Sequence, residues 1–188
     1  MTMLTSMASK ASGLHEWLQK NRPDTDLASA QVNEGDVVTT MIRCANGETI
    51  LLTHDCTLPR AYSRGGVVRG TRGMWMEDGR SIYIEGRSPE TPGYWTHRFE
   101  SDEKYMEEYR HPLWRQYNEI GVRGGHDGMD YLVLRAFIES VQNQTEPPID
   151  VYDTAAWMSI TALSESSIAM GSMPVPIPDF TNGRWYNE

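Results

Sequence analysis

No apolar run in the 188 residues approaches the roughly 20 needed to cross a bilayer. The opening stretch, MTMLTSMASKASGLHEW, has no basic segment followed by an apolar one, so it does not read as a signal peptide. These absences predict a soluble chain with no membrane partner and leave its cellular location open. Positive charge is also scarce: 17 Lys and Arg stand against 26 Asp and Glu, for a formal charge of −9 and a pI near 5.0. Binding to a phosphate backbone relies on basic surface that releases counterions, so nucleic acid is not an expected partner. No Gly-x-Gly-x-x-Gly follows a first strand and no Gly-Lys-Ser/Thr occurs, so neither nucleotide-binding motif is met.

Cysteine is limited to Cys44 and Cys56. If Asn46-Gly47 forms a two-residue hairpin turn, Cys44 faces Thr49 and Cys56 faces Val37. The two then sit on opposite faces, about seven positions or roughly 23 Å apart along the ladder. They are expected not to pair, and two lone cysteines make no metal cluster. A chain of this length can bury a core without such staples, and a single domain spanning 1–188 is the default.

What is present divides by period. MLTSMAS alternates weakly, as a strand does, and GLHEWLQKN can form a short helix before Pro23. DVVTTMIRC and ETILLTHDC flank the Asn-Gly turn as a hairpin, with Val38, Ile42 and Leu51 on one face and Val37, Met41 and Leu52 on the other. GGVVRGTRGMWMEDGRSIYIEG adds short strands around Asp78-Gly79, so the first half reads as a meander. In the second half, Met129, Leu132, Val133, Phe137, Ile138 and Val141 recur at three and four, the spacing of an amphipathic helix. Asp150 is a natural N-cap for a second helix that Gly171 stops, and the PVPIPDF tail is held extended by its prolines. Strands first and helices later predict an α+β fold: an open, mainly antiparallel β-sheet with helices packed on one face.

Several segments offer chemistry beside a plainer use. The glycines of GVRGGHDGMD precede a helix, where backbone N–H groups can hold an anion, yet a flexible loop placing His126 uses them better. Taken alone, His126 reads as a structural or surface histidine. His54, Asp55 and Arg60 gather where the second hairpin strand meets a loop, but adjacent strand residues point to opposite faces, so His54 and Asp55 cannot both serve one site. Tyr62 offers a sugar ring an aromatic face and a hydroxyl, and packing on a neighbouring strand is an equal alternative. Trp75, Trp95, Trp114, Trp157 and Trp185 are scattered over different elements, which favours packing over a carbohydrate platform. The acidic run SPETPGYWTHRFESDEKYMEEYR reads as a solvated helix face, not as the spaced carboxylate pair of common glycosidases.

Longer segments carry a resemblance: GGHDGMDYLVLRAFIESV, PPIDVYDTAAWMSITALSESSIAMG and PDFTNGRW, with SMASKASGLHEW, GDVVTTMIRCANGETILLTHDCTLPRAYS and VRGTRGMWM. Together they resemble glycoside hydrolase family 109, the NAD-dependent α-N-acetylgalactosaminidases of the Gfo/Idh/MocA superfamily, from near Met3 to Trp185. The resemblance implies a two-domain parent in which an N-terminal Rossmann domain binds NAD and a C-terminal domain shapes the sugar site and makes oligomer contacts. Only the second matches here, so 1–188 is expected to be the substrate-binding and oligomerisation domain. Met1 is then expected to be a start within a longer protein, with this chain inactive alone and binding no cofactor. The implied mechanism oxidises the sugar at C3 with NAD, eliminates the glycosidic group, adds water and returns the hydride, which departs from paired-carboxylate catalysis.

By the same resemblance, Tyr62 in LPRAYS matches the family's substrate-contacting tyrosine, and Arg60 and His126 join it as substrate-binding candidates. The family's Gly-His-Gly-Gly-Met-Asp is Gly125-His126-Asp127-Gly128-Met129-Asp130 here, and Asp127 adds a charge where the family has glycine. The catalytic acid/base groups are expected upstream of Met1. Carbohydrate is the expected substrate and a homo-oligomer the expected assembly. Two other readings stand beside this one: a sugar oxidoreductase of the same superfamily, and a stand-alone carbohydrate-binding or oligomerisation module.

Overall fold

The computed structural model describes residues 1–93, 95–121 and 124–187. In chain order the elements are β1 (Met3–Ala8), α1 (Gly13–Asn21), β2 (Val37–Arg43), β3 (Thr49–Asp55), β4 (Val67–Gly70), β5 (Gly73–Met76), β6 (Ser81–Ile84), β7 (Glu100–Ser101), α2 (Glu103–Tyr109), α3 (Pro112–Ile120), α4 (Met129–Asn143), α5 (Val151–Ala169) and β8 (Val175–Pro176). Every strand pairing is antiparallel, and helix accompanies sheet as the α+β expectation required. The strands form two four-stranded sheets, β3-β2-β1-β8 and β4-β5-β6-β7. The chain divides accordingly into two compact units, Met1–Pro59 with Ala136–Glu188, and Arg60–Arg135. No helix among the described residues is long and apolar enough to cross a membrane.

In the first unit, alternation along β1 sends Leu4 and Ser6 toward α5 and Met3 and Met7 outward. Leu4, Ile42, Val175 and Ile177 form the buried core, with Ile160 and Leu163 of α5 packed against it. Hydroxyls fix the helix as well as methyls. The buried Ser167 Oγ accepts from Ser6 N at 3.0 Å and donates to Met173 O at 2.7 Å, and Ser6 Oγ lies 2.8 Å from Thr40 Oγ1. Small side chains at the contact let helix and sheet approach closely, and the paired hydroxyls avoid the penalty of buried unsatisfied groups. As expected, Asp150 caps α5, its Oδ1 accepting from Tyr152 N at 2.7 Å and Asp153 N at 2.8 Å. The helix ends just before Gly171, whose φ of 72° is left-handed.

The hairpin register differs by one from the two-residue turn. Cys44 N donates to Glu48 O at 2.8 Å and Gly47 N to Cys44 O at 3.2 Å, so Ala45, Asn46 and Gly47 form a three-residue loop with Gly47 at φ 98°. A shift of one exchanges the faces of β3: Leu51 lies opposite Met41 and Leu52 opposite Thr40. Cys44 therefore falls opposite Glu48, on the same side as Cys56 but still roughly 26 Å from it along the ladder at 3.3 Å per residue. Both thiols are free.

The short helix α1 is capped from a distance. Ser12 makes no side-chain cap; instead the buried Asp36 accepts from Ser12 N and Gly13 N, each at 2.8 Å, and from Thr57 Oγ1 at 2.7 Å. The Ser12 amide, then the Thr57 hydroxyl, hold the Asp36 carboxyl below its ordinary range, against the opposing effect of burial. A side chain at Gly13 would place Cβ 2.5 Å from Thr57 O, so this junction requires glycine.

The second unit is the expected meander followed by helices. Trp75 Nε1 donates to Asp102 Oδ2 at 2.9 Å and Arg80 Nε to Asp102 Oδ1 at 3.0 Å, which satisfies that buried carboxylate. The acidic run supplies β7 and α2 rather than one continuous helix face. Pro112 opens α3 at its first turn, and His111 Nδ1 accepts from Leu113 N at 3.2 Å as its cap. The helix places Tyr117, 1% exposed, in ring contact with Trp114 and Tyr131.

Candidate functional site

Arg60, Tyr62 and His126 all fall in the second unit. Arg60 Nη1 donates to Ala61 O at 3.2 Å and Ser63 O at 2.9 Å, folding the guanidinium over its own loop. Ser63 Oγ holds Asp78 Oδ1 and accepts from Gly65 N at 2.7 Å, while Gly66 N donates to Glu77 Oε2 at 2.9 Å. These bonds tie the loop to the turn between β5 and β6. Tyr62 is left uncovered, 87% exposed, so it does not pack on a neighbouring strand. The Tyr62 hydroxyl beside Arg64 raises the guanidinium above its ordinary value.

Arg64 was not among the expected site residues, yet it links the two candidate loops. Its Nη2 lies 3.8 Å from Met129 Sδ at the start of α4, directly after the His126 segment. Two arginines in the Arg-Ala-Tyr-Ser-Arg run were visible in the sequence; which one reaches across depends on the loop's path.

The His126 segment is a strained turn. His126 and Asp127 have φ of 50° and 54°, and Gly128 follows at 92°. Left-handed backbone at a non-glycine residue costs of order 1–3 kcal/mol and persists where the surroundings fix it. Two glycines show how they do so. A Cβ at Gly128 would lie 2.1 Å from the Tyr117 hydroxyl, and one at Gly125 would lie 2.8 Å from Asp130 Oδ2. Tyr117 and Asp130 thus occupy the space that the glycines leave, and Gly128 N closes the turn on Gly125 O at 3.0 Å. The glycines serve close packing. They follow α3 rather than a strand, with two carboxylates beside them, so the loop does not fit a pyrophosphate.

His126 projects from this turn with Nδ1 3.0 Å from both Asp130 oxygens. The Asp130 carboxylate, by hydrogen bond and then by charge, raises the imidazole above its ordinary value, and Asp127 adds to the effect. Histidine and aspartate four apart at a helix start is a spacing visible in the sequence, and Asp130 is the partner that reading the motif alone left out.

His54 and Asp55 belong to the first unit and Arg60 to the second. His54 lines a cleft of about 460 Å³ with Glu34, Leu52, Ile160 and Glu165, and its Nε2 is 3.2 Å from Cys56 Sγ. Glu108 pairs with Arg87 and Glu100 with Lys104, so carboxylates of the acidic run are engaged in ion pairs. Trp95 and Trp157 are more than half exposed and are not core residues of this chain. Among the described residues no group of three His, Cys, Asp or Glu could hold a metal ion.

The relatives of this α+β chain carry the names of carbohydrate-cleaving enzymes. The chain is 46% identical over 98% of its length to a glycosyl hydrolase family 109 protein of Stenotrophomonas maltophilia, of which it covers 40%. It is 44% identical to an alpha-N-acetylgalactosaminidase of Tannerella forsythia and 35% identical to one of Shewanella oneidensis, covering 38% and 40% of them. The family model described as glycosyl hydrolase 109, C-terminal domain, matches residues 1–187. The chain belongs to that family. It spans about 40% of the length of the curated relatives it matches.

Proposed function

We propose that this chain is the sugar-contacting and assembly part of an NAD-dependent α-N-acetylgalactosaminidase, with Tyr62 and His126 touching the substrate and Arg60 shaping the tyrosine loop. The observation that carries this reading is the Arg64 link: one guanidinium lies beside both Tyr62 and Met129, so two loops with exposed ring side chains are tied in one unit. An exposed tyrosine gives a sugar a stacking face and a hydroxyl, and an exposed imidazole gives it a polar contact. NAD does not fit the glycine loop of this chain; in this reading a nucleotide-binding region in the remainder of the parent holds it.

Assembly is assigned to a second copy of the chain at the outward face of β1–β3, where Met7, Met41 and Leu51 are each more than half exposed. Calorimetric titration with N-acetylgalactosamine tests the site. Binding by the wild type that Tyr62→Ala and His126→Gln each weaken about tenfold supports it; unchanged affinity in both variants overturns it. In the parent, release of nitrophenol from the α-N-acetylgalactosaminide without net NADH is the expected activity, whereas NADH accumulation would identify an oxidoreductase.

A further inference from the structure

The strained His126 turn holds more order than an idle surface histidine needs. Three successive residues sit at positive φ, and two glycines admit Tyr117 and Asp130 against the backbone. The ring that results is anchored at one nitrogen only: Nδ1 lies 3.0 Å from each Asp130 oxygen, while the side chain remains 76% exposed. With Nδ1–H donated to Asp130, the plane of the ring is set and Nε2 is the nitrogen left to a ligand. Among the described residues, the charged groups that act on it are Asp130 on α4 and Asp127 on the turn itself, both acidic, and both favour the protonated ring. Arg64 approaches at the neighbouring Met129, and Tyr117 of α3 closes the turn from behind through its hydroxyl. The imidazole is thus backed by a carboxylate and open in front, an arrangement in which the partner orients the ring and the ring serves the ligand.

We propose that Asp130 is a positioning residue that holds His126 facing outward, where the protonated ring donates from Nε2–H to an oxygen of the sugar. This rests on the reading that His126 faces substrate. The ligand class is a neutral sugar bearing an acceptor oxygen, either a ring hydroxyl or the acyl oxygen of an acetamido group, because a carboxylate or phosphate would meet Asp127 and Asp130.

The test uses the full chain, with imidazole NMR for the charge on His126 and calorimetric titration of N-acetylgalactosamine across pH. In the wild type the affinity falls as pH rises through the His126 midpoint. Asp130→Asn moves that midpoint, and the fall in affinity with it, to lower pH; His126→Gln removes the pH dependence and weakens low-pH binding about tenfold, as loss of a charged hydrogen bond does. A merely structural Asp130 gives a different pattern: Asp130→Asn lowers affinity equally at all pH and leaves the midpoint in place, which overturns the proposal. Sugar binding that is pH-independent and unaffected by His126→Gln also overturns it while leaving the Tyr62 part of the functional reading intact. No sugar binding at all, with the NMR midpoint moving as described, refutes the functional reading and the ligand half of this inference together.

Discussion

Replacing Ser167 by alanine removes a single oxygen from the seam between α5 and the first sheet, and that oxygen serves two buried partners. Ser6 N donates to it at 3.0 Å, and it donates to Met173 O at 2.7 Å. Ser167 itself is 0% exposed and Ser6 1%, so water does not replace the lost oxygen without opening the seam. Each buried group left unsatisfied costs about 1–3 kcal/mol. With some relaxation, Ser167→Ala is expected to destabilise the first unit by about 2–4 kcal/mol, against about 0.5 kcal/mol or less for an ordinary surface change. At a urea slope of about 2 kcal/mol/M this moves the midpoint by about 1–2 M. Because the chain has two units, hydrogen exchange at the amides of β1 is the local readout to set beside urea unfolding. Ser166→Ala is the control, since that exposed hydroxyl bonds only within its own helix, to Ala162 O. A Ser167→Ala midpoint indistinguishable from the control, with β1 protection unchanged, would refute the view that hydroxyls lock this helix.

Other outcomes follow from the same geometry. The Asp36 carboxyl is depressed in the folded state, so its contribution is present above the ordinary carboxylate value and lost as pH falls through the depressed one; thermal melts from pH 7 to 3 should show Asp36→Asn less stable at neutral pH and less sensitive to acid than wild type. Gly128→Ala combines a φ of 92° with a Cβ 2.1 Å from the Tyr117 hydroxyl, and a loss of about 2–4 kcal/mol is expected in urea unfolding of the second unit. Tyr62→Ala, at a site 87% exposed, should alter stability by less than about 0.5 kcal/mol in the same assay, so any loss of sugar affinity reflects contact and not unfolding.

Local patterns were legible and distant partners were not. The hairpin around Asn-Gly, the Asp150 cap and the α4 helix each depend on residues near in sequence, and each forms where expected. The one-residue slip at the hairpin arose because Asn-Gly also suits a three-residue loop with glycine at its last position, and the flanking faces are too mixed to choose between registers. The cap of α1 comes from Asp36, 24 residues past Ser12, and no local rule points to it. For α3, Pro112 and His111 were adequate signals, but they lie just past the acidic run, in a stretch given no element from the sequence. At the candidate site, Tyr62, Arg60 and His126 were legible as residue types in loops. That Arg64 joins those loops, and that Tyr117 fills the space at Gly128, depends on chain paths that spacing does not encode.

The turn at His126 also bears on how such a chain can change over generations. A side chain at 128 would collide with the buried Tyr117 at a left-handed φ, so that position tolerates little but glycine, whereas one at 125 meets only the movable end of Asp130. Asp127 is exposed, and it already adopts a backbone that glycine would accept more readily. Variation at 127 can therefore alter charge at the mouth of the loop without rebuilding its frame. A saturation library here should sort by ligand preference at 127 and by folding yield at 128, placing adaptability and rigidity one residue apart.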